Sequence, residues 1–366
     1  RDLSGIILDE RTDLNSYEGF EELQVYLRGQ NLKDVPINLE NSELMYIFAE
    51  RLYLPYVQAR GINLEKARLG GGYFSGADFF GANLKKADFF GANLNRTNFK
   101  RAILERAYLK DASLLGANLE GANLERADFV NTDLLIANLE GAILKETNFW
   151  RARMRGARLA RSNAKKACFG KAILEDADLE RANLEEADFK KANLQRVNLG
   201  MANLEEAILI KADFRKTYMR GANLKRTNLQ RVKLNKSHLE GANFTEANLK
   251  RAHLEETHLD EADFEEACFE RAHLNEAILT NAILKDTNLQ GTDFSYANIS
   301  GAIFRGANLY KAVLVDADIR EADFRGANLL SANLKGLNLN DAHFKSEDID
   351  LIKKLEKKKF VFRIKK

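Results

Sequence analysis

The chain has 366 residues, 45% hydrophobic and 30% charged, enough for two or three ordinary domains or for one long repeat array. Lys and Arg number 56 against 54 Asp and Glu, so the net charge of +2 singles out no particular partner and implies a surface rich in ion pairs. Pro36 and Pro55 are the only prolines, Cys168 and Cys268 form neither a disulfide framework nor a metal motif, and no apolar run approaches the roughly 20 residues of a membrane span. The sequence starts at Arg1 and not at Met, so an upstream segment is an open expectation; the compartment is open too, with the cytoplasm favoured.

Residues 1–61 read as an N-terminal capping segment, partly helical. Short helices are expected over 16–28 and 42–53, the second with Leu44, Ile47, Phe48 and Leu52 apolar. From Leu64 an apolar residue recurs at every fifth position, through Leu69, Phe74, Phe79, Leu84 and Phe89, and onward to Phe344 without a slip. Each is Leu, Phe, Ile or Met except Ala164. Two residues earlier stands a small residue, as at Ala77 and Ala82, and between them often Asn or Asp, as at Asp78 and Asn83. Five fits neither the helical period of 3.6 nor the two-residue alternation of a long strand. A short extended piece with a turn every five residues does fit. The small and large residues, two apart, then point to one side, and the Asn or Asp between them forms turns. The chain must coil around an apolar axis, with successive coils about 4.8 Å apart.

The motifs "GADFF GANLK KADFF GANLN" and, far downstream, "EADFR GANLL SANLK" resemble the pentapeptide-repeat family, A(D/N)LXX, over residues 62–346. The resemblance implies an all-β, right-handed quadrilateral β-helix with four repeats per coil. That means about 14 coils and a length on the order of 65–70 Å. A solenoid needs its ends covered. The N-terminal helices are expected over the first coil, and 347–366 over the last. There "SEDIDLIKKLEKKK" has Ser346 as N-cap, Leu351, Ile352 and Leu355 on one face, and lysines at its end. "FVFRI", 360–364, alternates like a short strand. In some relatives a C-terminal helix mediates dimers, so a homodimer contact stands beside the plain cap.

No phosphate loop, zinc spacing or nucleophile elbow occurs, and a regular convex surface offers no cleft for tuning carboxylates. The expectation is no enzyme, no catalytic residue, no cofactor and no assigned metal site. Leu115, Val130, Leu135, Ile136 and Trp150 occupy outward positions on adjoining faces and form a candidate apolar docking patch around the only tryptophan. The scattered surface residues of any protein are the competing reading.

The basic stretch "RARMRGARLARSNAKKA", 151–167, keeps the inward register at Met154 and Leu159. With twenty residues per coil, its charges should pair up the column: Lys165 with Glu185, Lys166 with Glu146 and Glu186, Arg153 with Asp133, Arg155 with Glu175 and Arg158 with Asp178. Ala164 lacks the large inward side chain, and a void there would cost about 2–5 kcal/mol. Neighbouring side chains are expected to shift in, or the coil to become irregular.

The same arithmetic stacks Arg151, Lys171, Lys191, Lys211, Arg231, Arg251 and Arg271 in one basic column. An acidic corner adjoins it, with Glu186, Glu206, Glu246, Glu266 and Asp286, and with Glu185, Glu205 and Glu265 beside them. The two are expected to cancel laterally; the alternative is that the column docks an anionic partner. His238 should stack on His258, and His253 on His273. Solvated residues in a tolerant position are expected there, and a metal-binding or pH-sensing ladder is the alternative.

Three functions compete. The first is a non-catalytic scaffold presenting the column and the apolar patch to a protein partner. The second comes from the resemblance: some pentapeptide-repeat proteins mimic DNA and protect DNA gyrase, but that asks for a strongly acidic surface. The third is electrostatic binding of nucleic acid or an anionic membrane, although the column lacks interleaved aromatics for base stacking.

Overall fold

A computed structural model describes residues 38–46 and 49–345, in two compact units, Arg1–Asn203 and Leu204–Lys366. Both follow the same five-residue rule, and one repeat shows why the rule works. Ala77 and Phe79 point inward and are buried, with Asp78 between them. The Ala77 N–H closes a turn onto the Phe74 carbonyl at 3.0 Å. The Asp78 N–H donates to Val57 in the preceding coil, and those of Phe79 and Gly81 to Asn98 and Lys100 in the next, at 2.8, 2.8 and 3.0 Å. One amide of the five, that of Phe80, has no carbonyl. It donates to the Asp78 side chain, Oδ1, at 3.1 Å.

The Asn or Asp between the inward residues therefore satisfies the donor that the coil leaves over, which would otherwise lack a protein partner. The bond recurs at Glu120 to Asn118, 3.1 Å, in the first unit and at Thr245 to Asn243, 2.9 Å, in the second.

Residues twenty apart pair as parallel bridges, Asp78 with Asn98 and His238 with His258 among them, so each repeat lies against the fourth one on. This is the register of a right-handed quadrilateral β-helix. The second turn residue has φ near +60°, for example 57° at Lys86, 60° at Arg151 and 56° at Arg251. That left-handed conformation costs a non-glycine residue about 1 kcal/mol. It also aims the side chain at solvent, which is why long charged side chains fill the position.

Inside, like stacks on like. In the first unit Phe149, Phe169 and Phe189 stack with ring centroids 5.1 and 4.7 Å apart; in the second Phe304, Phe324 and Phe344 do so at 4.7 and 5.1 Å. Each fully buried member of these stacks contributes about 1.5–3 kcal/mol by leaving water, and Phe344, half-buried at the end, contributes less. Where Thr replaces the small Ala, its hydroxyl bonds a carbonyl of the preceding coil, as Thr97 does to Phe74 at 3.0 Å and Thr287 to Phe264 at 2.9 Å.

Three expectations change. The helix over 42–53 does not form in its described part. Asn41, Arg51 and Tyr56 carry the positive φ of the turn, and Glu43 and Tyr53 bridge to Asn63 and Tyr73. Coils thus begin before residue 62. Of the inward pairs there, Leu52 with Leu54 is large at both sites and Val57 with Ala59 is in reversed order, so the small-then-large signature survives at Ser42 with Leu44 and is lost at these two although their sites are filled.

At Ala164 the coil stays regular: its N–H reaches Asn183 at 2.7 Å, Ala167 closes the turn onto it at 3.0 Å, and Asn163 bridges to Asn183. The irregular alternative is excluded. The adjacent inward Ser162 has a hydroxyl with no hydrogen-bond partner. Finally, the only helical element among the described residues is a 3-10 turn, Leu339–Asp341, capped by Asn338. The helix of 16–28, Ile47 and Phe48, and the C-terminal helix and strand with Leu351, Ile352 and Leu355 lie outside the described residues.

Candidate functional site

The basic belt of 151–167 is neutralised largely as its spacing suggests. Lys165 reaches Glu185 at 2.7 Å, Lys166 reaches Glu186 at 3.3 Å and Arg153 reaches Asp133 at 3.5 Å. Three partners differ. Arg155 takes Asp176 at 3.5 Å, Arg158 takes Glu140 at 2.7 Å, and Glu146 pairs with Arg126 at 2.8 Å. The Arg126 hydrogen bond holds the Glu146 carboxyl below its ordinary value. Long side chains can choose between the residue directly above or below and its diagonal neighbours.

Most of the acidic corner is also neutralised, but from within. Arg226 bonds both Glu205 and Glu206, Lys225 lies 3.5 Å from Glu246, and Lys285 holds Glu265 and Asp286. The expected lateral cancellation with the basic column is not what forms.

The column's members divide between the units: Arg151, Lys171 and Lys191 in the first, Lys211, Arg231, Arg251 and Arg271 in the second. All seven are left-handed turn residues and exposed. Among the described residues only Arg271 approaches a carboxylate, Glu270 at 4.0 Å. In the second unit Arg231, Arg251 and Arg271, together with His253 and His273, line a shallow cavity of about 410 Å³ with no carboxylate in its wall. His253 also borders a second cavity of about 440 Å³, lined by Arg215, Lys216, Lys233, Lys236 and Asn235. Lys236 and Arg215 are paired there, with Glu256 at 3.2 Å and Asp213 at 2.7 Å. The twenty-residue rule stacks Lys216 with Lys236 and Lys233 with His253, so this extension of the basic face was open to the same arithmetic.

The apolar residues lie in the first unit. Leu115, Val130, Leu135 and Trp150 are half-buried, and Ile136 is 61% exposed. Trp150 is seated rather than projecting: a Cβ on Gly170, one coil on, would overlap its six-membered ring, and the Lys171 ammonium lies 5.0 Å from the ring centroid. Ile136 holds φ of 52°, a conformation that a β-branched residue rarely adopts, with Gly116 and Gly156 one coil away on either side.

The histidines stack as the spacing requires, His238 on His258 at 4.6 Å between centroids and His253 on His273 at 5.0 Å. Cys168 and Cys268 are free, and burial raises the Cys168 thiol above its ordinary pKa. No helix among the described residues is long and apolar enough to cross a membrane.

These repeats match two family models. "Pentapeptide repeat region" covers residues 195–264, and "Pentapeptide repeats (8 copies)" covers 60–96, 102–134, 137–170, 165–200, 267–306 and 307–345. The chain belongs to the pentapeptide-repeat family. Similar solved structures include HetL, a pentapeptide-repeat protein involved in heterocyst differentiation regulation from Nostoc sp. strain PCC 7120. It is 26% identical over 86% of this chain and 94% of that one, with a TM-score of 0.17. Rfr23 from Cyanothece 51142 is 28% identical over 35% of this chain and 88% of that one, with a TM-score of 0.20. QnrB1, a plasmid-mediated fluoroquinolone resistance protein, is 17% identical over 49% of this chain and 92% of that one, with a TM-score of 0.26. A search of curated proteins found no match.

Proposed function

We propose that the chain is a non-catalytic scaffold that docks an acidic protein partner on the basic face of its second unit. The observation that carries this reading is the cavity of Arg231, Arg251, Arg271, His253 and His273. On other columns many stacked charges find opposite partners, as in Arg126 with Glu146 and Arg196 with Asp176. Here Arg231 and Arg251 have no ion-pair partner among the described residues, and like charges stacked one coil apart repel. An acidic segment laid along the column would relieve that repulsion with charge-assisted hydrogen bonds.

The strained, exposed Ile136 and the seated Trp150 favour a second, apolar contact on the first unit. DNA mimicry fits this surface poorly, since the acidic corner is occupied by Arg226, Lys225 and Lys285.

The test measures binding of a labelled polyglutamate peptide to the full chain, with duplex DNA as comparison. The reading expects at least tenfold weaker peptide binding when Arg231, Arg251 and Arg271 are all changed to Glu. Equal binding by this variant rejects the surface. Tighter, strongly salt-dependent binding of DNA transfers the column to nucleic acid. Trp150→Ala, in the same assay with the native partner once isolated, checks the apolar contact.

A further inference from the structure

On another column of the second unit, Tyr218, His238 and His258 stack in succession. Tyr218 lies 5.2 Å from His238 with the rings 2° from parallel, and His238 lies 4.6 Å from His258 at 19°. Glu240 follows His238 by two residues and turns back toward it, with Oε1 3.2 Å from the His238 Nδ1. The Arg220 guanidinium also donates to this oxygen, at 3.4 Å. The other oxygen, Oε2, is buried and has no hydrogen-bond partner. A buried carboxylate oxygen left in that state is costly, and it is an acceptor without an assigned role.

We propose that His238, His258 and Glu240 form a binding site for a divalent transition-metal ion of the zinc, nickel or copper class. One ligand atom from each residue lies within 4.8 Å of the other two. Two neutral imidazoles and a carboxylate are the donor set those ions prefer, whereas calcium and magnesium favour oxygen alone. Metal–ligand distances of about 2.0–2.2 Å place such atoms roughly 3.3 Å apart, so the side chains must close by up to about 1.5 Å. The His238 side chain is 36% exposed, and rotation about its side-chain bonds supplies that movement without disturbing the coil. Tyr218, stacked on the His238 ring, and Arg220, holding Oε1, orient the ligands from outside and leave Oε2 for the ion. Water completes the coordination at the surface. The ion would join two successive coils.

The second histidine pair is an internal control. His253 and His273 stack equally well, and the His253 Nδ1 is 3.1 Å from Glu255 Oε1. There the remaining oxygen, Glu255 Oε2, already accepts from Asn235, and three arginines line the adjoining cavity. The same two imidazoles thus lack a free third ligand.

The experiment is calorimetric titration of the chelator-washed full chain with zinc chloride and, separately, nickel chloride. Thermal denaturation with and without each metal accompanies it. The proposal expects one saturable site per chain and a higher melting temperature with metal. His238→Ala, His258→Ala and Glu240→Gln should each weaken binding at least tenfold. The double variant His253→Ala, His273→Ala should bind as the parent does, and circular dichroism should show an unchanged β signature in every variant. Absence of saturable binding overturns the proposal. So does binding that survives His238→Ala, or that disappears with the His253 and His273 double change.

Discussion

Ile136 shows how much a single outward residue can reveal. It holds a left-handed φ of 52° with a branched Cβ, at a turn position filled elsewhere by Gly or by residues without a branched Cβ, most often Lys, Arg and Glu. Gly116 and Gly156, at the same position in the coils on either side, are glycines that need no such effort. Ile136→Gly is therefore expected to stabilise the protein, by about 1 kcal/mol, despite the greater freedom it gives the unfolded chain. Chemical denaturation checks it, and a destabilised variant would mean that the side chain packs productively. Trp150 makes the complementary case. It fits because Gly170 has no Cβ, so Gly170→Ala should lift the indole off the coil and away from Lys171. As the chain has one tryptophan, its fluorescence reports this site alone. The expected outcome is a red-shifted emission more open to acrylamide quenching, and an unchanged spectrum would place the ring elsewhere.

At the scale of one repeat, the fold is a solution to five amide donors. Four find carbonyls, and the fifth needs the Asn or Asp side chain, which is why the sequence could be read so directly from "GADFF GANLK". The segment 42–53 was harder to read for a physical reason. Leu44 and Leu52 are inward in both a helix and a β-helix coil, and the competing signature of a small residue before a large one is present only at Ser42 and Leu44 and fails at Leu52 and Leu54. Ion pairs were legible only to within a neighbour, since Arg155 takes Asp176, one residue beyond the Glu175 that the register places above it. The free oxygen of Glu240 was not legible at all, because it depends on side-chain conformations that spacing does not specify.

Near the end of the coils a different local device appears. Asp323, 7% exposed, bonds Arg325 and Arg305, and the Arg325 hydrogen bond above all holds its carboxyl far below the ordinary value despite burial. A depressed pKa in the folded state means stability that is fully present above the ordinary Asp value near 4 and lost as pH falls below it. Asp323→Asn should cost about 2 kcal/mol at pH 7 and shrink the loss of stability between about pH 4 and pH 2. Urea midpoints at both pH values test the two halves of that statement, and parallel acid dependence in the variant would contradict it.

Over the whole chain, a net charge of +2 arises from sorted charges rather than mixed ones. Most carboxylates at the turns hold a Lys or Arg nearby, whereas the column from Lys211 to Arg271 in the second unit stands without them apart from the long contact of Arg271. Such a column gives up stability, and the sign of that effect can be measured. Arg251 lies between Arg231 and Arg271 in the twenty-residue register, and its position accepts Glu without new backbone strain, since Glu246 and Glu256 hold the same conformation at φ of 60° and 57°. Arg251→Glu exchanges two repulsions for two attractions, each worth about 0.2–1 kcal/mol at an exposed site. The variant should therefore be more stable by about 0.8–4 kcal/mol at low salt, with the gain shrinking as salt screens the charges. The same change should weaken the acidic peptide in the binding assay. A stabilised protein that has lost its ligand separates a surface kept for binding from one kept for folding. A destabilised Arg251→Glu would show that Arg251 serves the coil itself, and the docking role would then rest on Arg231 and Arg271 alone.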